Sequence, residues 1–221
     1  MSDFCSSQHI PGIGRRLDIL SISTSMGDMN ETLTANVDNI INAYRAASDA
    51  DITNGMLWYA SARAMARSIC DDERMGAGII AALSPMTSWP ENVKKARMIV
   101  ETGDTYGLRR NVEKAQRILA GENPEDVLSG PKVRSFYFNI LDIDTVEAVT
   151  IDRHAIDVAV GRTLSNDERS KVAGTPKRYR EIANMYLDAA ARMGAVTGAQ
   201  LQAIVWVYWR RNRAVAFHGD M

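Results

Sequence analysis

Apolar residues recur at intervals of three and four along most of the chain from Thr34 onward, which places them on one face of an α-helix. Val37, Ile40 and Ile41 belong to the first such stripe, and a second helix is predicted from about Thr53 to Cys70. No segment shows the strict apolar–polar alternation of a half-buried strand. The pattern therefore predicts an all-α protein of about nine helices.

Proline and capping residues predict where several helices begin and end. The almost wholly apolar run 75–83 predicts a buried central helix that stops before Pro85, because proline disfavours helical backbone at the preceding residue. The polar stretch after Arg162 predicts a loop. Helix starts with a capping residue are predicted at three places, namely Ser88-Trp89-Pro90-Glu91, Thr175-Pro176 and Thr197-Gly198-Ala199-Gln200.

The length of 221 residues is enough for one compact domain or for two lobes that share one core. Residues 1–33 are rich in Ser, Gly, Asp and Met and lack a sustained period, so we predict a loose leader before a single helical domain of two lobes at 34–221. The leader contains the P-G-x-G pattern of a helix-hairpin-helix turn at Pro11-Gly12-Ile13-Gly14. No helix of adequate length precedes it, and a hairpin needs two, so we assign it no function.

Composition limits the classes of protein that remain. No apolar run approaches the roughly 18 residues of a membrane span, and no basic head followed by an apolar stretch indicates a secretory signal. Cys5 and Cys70 stand alone, which suits a reducing cytoplasm and excludes a four-cysteine metal site within the chain. We therefore expect a cytoplasmic protein, with association to the nucleoid or residence in a phage-infected bacterium as further expectations.

The net charge of −1 is unevenly distributed along the chain. Residues 1–83 hold 6 Lys and Arg against 10 Asp and Glu, whereas residues 84–221 hold 20 against 17. This balance is compatible with nucleic-acid binding, because phosphate contacts need only a local cluster of cations and are screened over about 10 Å.

The stretch from Leu128 to Arg162 holds the candidate chemistry. A Ser129-Gly130-Pro131 turn begins a helix with Lys132 on its first turn. The short, mainly apolar segment Val149-Thr150-Ile151 then precedes Asp152, which lies at the start of another predicted helix. An amine and a carboxylate at two helix N-termini could face each other across a cleft. From the residues alone, a helix N-cap is the favoured interpretation of Asp152 over a catalytic group, and Lys132 on a first turn is more often a solvated side chain.

These motifs resemble the helix-hairpin-helix DNA glycosylases, the superfamily of endonuclease III. In that family a hairpin of type L-P-G-x-G precedes a lysine in bifunctional members, and an aspartate follows after a helix within a run resembling V-x-V-D-x-H. Lys132 and Asp152 occupy these two positions, the latter within Val149-Thr150-Ile151-Asp152-Arg153-His154. The resemblance covers roughly residues 75–215. The chain departs from the family in lacking the second hairpin glycine and the cysteine cluster after the last helix.

The resemblance implies an enzyme that flips a damaged or modified base out of double-stranded DNA as a monomer, without a metal or cofactor. Asp152 would stabilise the positive charge that develops on the sugar, and Lys132 would add lyase activity through a Schiff base. The family's insertion loop corresponds to the segment after Leu83, where Met86 replaces a glutamine and could act as an apolar wedge. The implied DNA-binding residues are Ser129, Gly130, Pro131, Arg134, Arg153 and His154, and the implied base pocket or wedge residues are Ser84, Met86, Trp89 and Tyr137.

Two other functions remain open. One keeps the fold but acts on hypermodified, phage-type thymines, replacing a leaving group on the 5-substituent of the base. The other is a non-enzymatic helical module that binds DNA or a partner. Further along the chain, Trp206 and Trp209 are predicted as core or lobe-closing residues or as base-stacking residues. The cluster Arg210, Arg211 and Arg213 is either a solvated tail or a cationic segment beside DNA.

Overall fold

The computed structural model describes residues 33–142, 148–194 and 196–219, with side chains up to Arg213. These residues form eleven α-helices and contain no strand, which confirms the predicted all-α class. The predicted leader, with its P-G-x-G pattern, lies outside the described residues except for its last position, Leu33. The helices are α1 Val37–Arg45, α2 Asp49–Ile69, α3 Glu73–Leu83, α4 Trp89–Thr102, α5 Arg109–Leu119, α6 Pro124–Val127, α7 Pro131–Leu141, α8 Arg153–Val160, α9 Asn166–Ala173, α10 Pro176–Met193 and α11 Gly198–Gly219.

The predicted loop after Arg162 is wrong, because the segment contains helix α9. Ser165 accepts a hydrogen bond from the backbone N–H of Glu168 while the Glu168 carboxylate accepts from that of Ser165. Arg162 also pairs with Glu168 at 2.8 Å. None of the residues of α9 is fully buried, but Val172 and Ala173 pack against the second cluster described below and Arg169 pairs with buried Asp157 at 2.7 Å. The reciprocal cap and this ion pair, rather than a buried apolar stripe, therefore mark the helix.

One other helix start differs from the prediction, and one predicted cap makes no hydrogen bond. Helix α2 begins at Asp49, four residues before Thr53, because Ser48 and Asp51 form a capping box. Helix α4 begins after Ser88 as predicted, but the Ser88 side chain makes no capping hydrogen bond. The starts of α10 and α11 carry the expected caps from Thr175 and from Thr197 with Gln200.

The buried apolar residues form two clusters. The first is built around α3, whose residues from Gly76 to Leu83 are all buried, and it receives side chains from α2, α4, α5 and α7. The second collects side chains from α1, α8, α10 and α11, among them Tyr179 and Tyr186. Helix α11 contributes to both clusters, through Ala199 and Ala203 to the first and through Leu201 and Val205 to the second.

Helices α2 and α11 pack backbone against backbone. A Cβ added at Gly55 would lie 2.4 Å from the Cα of Ile204, so only glycine permits this approach. Near the crossing, the Tyr59 hydroxyl donates to the Gln202 side-chain oxygen at 3.0 Å, and both residues are buried. Within the described part of the chain, no helix is long and apolar enough to cross a membrane.

Candidate active site

Three hydrogen bonds to Tyr179 and Asn139 hold the short extended segment that leads to Asp152. The Tyr179 hydroxyl donates to the carbonyl of Val149 at 2.9 Å and accepts from the N–H of Ile151 at 3.0 Å. The Thr150 hydroxyl donates to the Asn139 side chain at 2.8 Å. Because Tyr179, Asn139 and the segment are buried, the position of the following residue is fixed.

Asp152 is the N-cap of α8, as the sequence predicts. One carboxylate oxygen accepts from the backbone N–H groups of His154 and Ala155, both at 2.9 Å. The other oxygen accepts from the indole N–H of Trp206 at 3.1 Å. The carboxylate is half-buried, and its four lone-pair positions exceed the three donors that these bonds supply. The side chain is therefore oriented by the protein and still able to accept a further hydrogen bond.

Cationic groups lie beside the two neighbours of this carboxylate, His154 and Trp206. Arg153 is exposed, and its Nε donates to Nε2 of His154 at 3.3 Å. The guanidinium of Arg210 lies 4.4 Å from the centroid of the Trp206 ring, within cation–π range. Burial lowers the pKa of His154; Asp152 opposes this effect, and Arg153, Arg213 and Arg210 add to it. Burial therefore favours the neutral imidazole, and Nδ1 of His154 is buried without a hydrogen-bond partner among the described residues.

An aromatic strip runs from Asp152 to the loop before α4. The Trp206 and Trp58 rings lie 4.9 Å apart between centroids, and the Trp58 and Trp89 rings lie 5.4 Å apart. All three are half-buried, so each keeps one part of its ring at the surface. The prediction of Trp206 as a core or lobe-closing residue missed the contact with Asp152. The two residues are 54 positions apart, and neither has a local sequence signal for the other.

The loop between α3 and α4 exposes Met86. Its side chain is 94% exposed, and its φ of 61° makes it the one non-glycine residue with positive φ in the described part of the chain. Ser84 ends α3 and donates to the carbonyl of Ala81. Tyr137, by contrast, is 1% exposed in the first cluster, so it does not line an open pocket, and burial raises its pKa.

The hairpin residues lie together between α6 and α7. Gly130 has a φ of 82°, the left-handed conformation that favours glycine. Arg134 donates to the carbonyl of Glu125 at 2.6 Å, and Lys114 donates to the Ser129 hydroxyl. Arg134 therefore closes the hairpin onto α6, a contact within the chain that the sequence did not indicate.

Lys132 is exposed on the first turn of α7 and forms no hydrogen bond or ion pair with any described residue. In particular, it does not pair with Asp152. The structure thus brings Asp152, Arg153 and His154 together with Trp206, and links Trp89 to them through Trp58. Ser129, Gly130, Pro131 and Lys132 form a separate group at the hairpin.

Fold and site together define an all-helical protein with an oriented carboxylate at a helix start, flanked by cations and an aromatic strip. Comparison with known families adds one finding. The chain belongs to a family of unknown function (DUF7178), whose model matches residues 23–213. No match was found among curated proteins or among solved structures.

Proposed function

We propose that the protein is a DNA glycosylase that excises a damaged or modified base, with Asp152 as its catalytic carboxylate. The observation that supports this proposal is the fixed carboxylate, which accepts from two backbone N–H groups of α8 and from the Trp206 indole. A helix cap needs only the first oxygen. The indole bond to the second oxygen orients the group further, and preorganised charge is the main means by which enzymes stabilise a charged transition state.

The chemistry follows from the charge that develops on the sugar. Breaking the bond between C1′ and the base leaves oxocarbenium character on the sugar, which a carboxylate below C1′ stabilises. Asp152 also orients or deprotonates the attacking water. The cations Arg153 and Arg210, which are exposed, favour the approach of DNA phosphates to the same surface.

Base flipping requires groups that hold the distorted duplex, at an unstacking cost of a few kcal/mol. In the proposal, the exposed side chain of Met86 enters the space left by the flipped base. The start of α7 carries no side-chain cap, so its backbone N–H groups are available to a phosphate near Gly130 and Lys132.

Lys132 distinguishes two forms of the reaction. If its amine attacks C1′, a Schiff base forms and the strand is cleaved by elimination. If water attacks, only the base is released. Reduction with borohydride traps the first intermediate as a stable protein–DNA adduct, so trapping that is lost in Lys132→Ala identifies the lyase form.

The test uses duplexes that carry uracil, thymine glycol, oxidised guanine or hydroxymethyluracil, together with duplexes of phage-type modified thymine. The proposal predicts release of a free base from at least one lesion duplex and loss of release in Asp152→Asn. Conversion of a modified thymine without cleavage from the sugar would replace the proposal with the base-modifying function. If the protein binds DNA in a salt-sensitive way without any reaction, and Asp152→Asn leaves that binding unchanged, a non-enzymatic DNA-binding function would replace the proposal.

A further inference from the structure

A second candidate site lies between the end of α3 and the start of α5. It is a pocket of about 270 Å³ with apolar walls from Leu83 and Pro85. The described residues leave five large apolar side chains exposed, and three of them line this pocket, Met86, Tyr106 and Leu108. Apolar side chains gathered around one concave site indicate a ligand with an apolar or aromatic face.

Asn111 supplies an unsatisfied polar group in this pocket. The residue is only 7% exposed and lines the pocket, and its side chain makes no hydrogen bond with any described group. Its amide atoms nevertheless retain access to solvent. The carboxamide therefore opens into the pocket. It offers a donor and an acceptor side by side, which is the arrangement that reads the edge of a nucleobase.

Positive charge borders the same pocket. Lys95 lines it, and its ammonium lies 5.1 Å from the centroid of the Tyr106 ring. Helix α5 begins beside the pocket after Leu108, with no side-chain cap and no acidic residue in its first turn. Its uncapped N–H groups and the exposed Arg110 favour an anion there, whereas Arg109 pairs with Glu113 at 2.7 Å.

We propose that this pocket binds a nucleotide. The base lies against the apolar walls, where the Asn111 carboxamide bonds to its edge, and the phosphate lies between the Lys95 ammonium and the start of α5. The nucleotide can be a free mononucleotide or part of a DNA strand, since both present the same chemistry. The proposal shares Met86 with the proposed glycosylase function but uses neither Asp152 nor Trp206. Its test measures nucleotide binding rather than base release, so the two proposals can fail separately.

The experiment measures binding to the full chain by isothermal titration calorimetry. The probes are the four 2′-deoxynucleoside 5′-monophosphates, a mixed single-stranded oligonucleotide and inorganic phosphate. Asn111→Leu removes the amide at similar volume, and Lys95→Met removes the charge but keeps an apolar stem. Lys94→Met is the matched control, because Lys94 lies 5.6 Å from the same Tyr106 ring but does not line the pocket.

We expect at least one nucleotide probe to bind more tightly than phosphate, and Asn111→Leu and Lys95→Met each to weaken it by about tenfold or more, whereas Lys94→Met leaves it unchanged. Binding of the oligonucleotide alone supports the proposal with a DNA strand as the source. If Asn111→Leu lowers the melting temperature, Lys95→Met at the surface still carries the test. Absence of binding by every nucleotide, equal affinity for phosphate, or equal effects of Lys95→Met and Lys94→Met would overturn the proposal.

Discussion

Two aspartates, Asp72 and Asp152, begin helices with the same local geometry. One oxygen of Asp72 accepts from the N–H groups of Arg74 and Met75 at 2.9 and 3.1 Å, and one oxygen of Asp152 accepts from the corresponding groups of α8, both at 2.9 Å. The second oxygens differ. No described group donates to that of Asp72, whereas that of Asp152 accepts from Trp206.

The comparison distinguishes the hydrogen bonds that a helix cap requires from the additional bond that Asp152 makes. An exposed aspartate with one bonded oxygen is sufficient to begin α3. At Asp152 a tryptophan from a distant helix fixes the carboxylate, and Arg210 covers part of that tryptophan. Local helix formation explains none of this, so Asp72 serves as an internal control for every experiment on Asp152.

The largest expected effect is on base release. Asp152→Asn keeps a capping side chain and loses the negative charge, so we expect about a 10²–10⁴-fold fall in the rate of base release. Asp72→Asn makes the same change at a matched cap and should leave the rate within about twofold, since no reacting group is near it. Single-turnover assays on one lesion duplex measure both.

Both variants should fold, because asparagine caps helices about as well as aspartate. Circular dichroism and thermal melting verify this before the rates are compared. Equal losses of rate in Asp72→Asn and Asp152→Asn would show that the assay reports helix stability, and the catalytic assignment would then be wrong.

A smaller effect is expected from the indole bond. Trp206→Phe keeps a ring against Trp58 but removes the donor to Asp152, and a hydrogen bond to a charged group contributes about 1.5–3 kcal/mol. We therefore expect a loss of rate of about tenfold or more. Trp58→Phe is the control, because Trp58 belongs to the same aromatic strip and its indole N–H donates to no described group. Similar rates in the two variants would argue against a positioning role for Trp206.

The helices that could be predicted from the sequence are those with a local signal. Periodic apolar residues and caps indicated most helices, since both are read within one or two turns. Helix α9 was missed because it has no buried residue, and a polar composition hid its Ser165–Glu168 capping box. The early start of α2 was missed for the same kind of reason, since Ser48 and Asp51 precede its apolar stripe.

The candidate site was predictable only where its geometry is local. Asp152 was found because a cap follows from neighbouring residues. Its bond to Trp206 joins the start of α8 to α11 across 54 positions of the sequence, a tertiary contact that no local pattern shows. The pocket around Asn111 likewise combines segments from α3, α4 and α5. The expected pairing of Lys132 with Asp152 relied on sequence order alone, and the two residues form no ion pair in the described structure.

Removing each cap separately should show a difference in stability between the two aspartates. Asp72→Ala and Asp152→Ala each remove a capping side chain, which lowers the free energy of unfolding by about 1 kcal/mol. Asp152→Ala should lower it further, because the indole N–H of half-buried Trp206 then loses its acceptor. Urea titrations at neutral pH measure both values. An equal decrease in the two variants would show that the indole bond adds no stability.

The smallest effect concerns pH and follows from His154. Burial lowers its pKa in the folded protein below the ordinary value of about 6.5, and Asp152 limits that decrease. Between the folded and unfolded pKa values the unfolded chain binds more protons, so stability falls as pH decreases through this window and is fully present above it. Asp152→Asn removes the opposing charge, lowers the folded pKa further and widens the window.

The free energy of unfolding is therefore measured at about pH 5 and about pH 7, where linkage converts the pKa difference into a stability difference. We expect the decrease on acidification to be larger in Asp152→Asn than in the original chain, and smaller in His154→Gln, which removes the titrating ring. Asp72→Asn should match the original chain, since Asp72 is not among the charges that act on His154. If Asp72→Asn and Asp152→Asn respond alike, the charge of Asp152 does not act on His154 more than that of a matched cap, and the proposed coupling between the two residues is wrong.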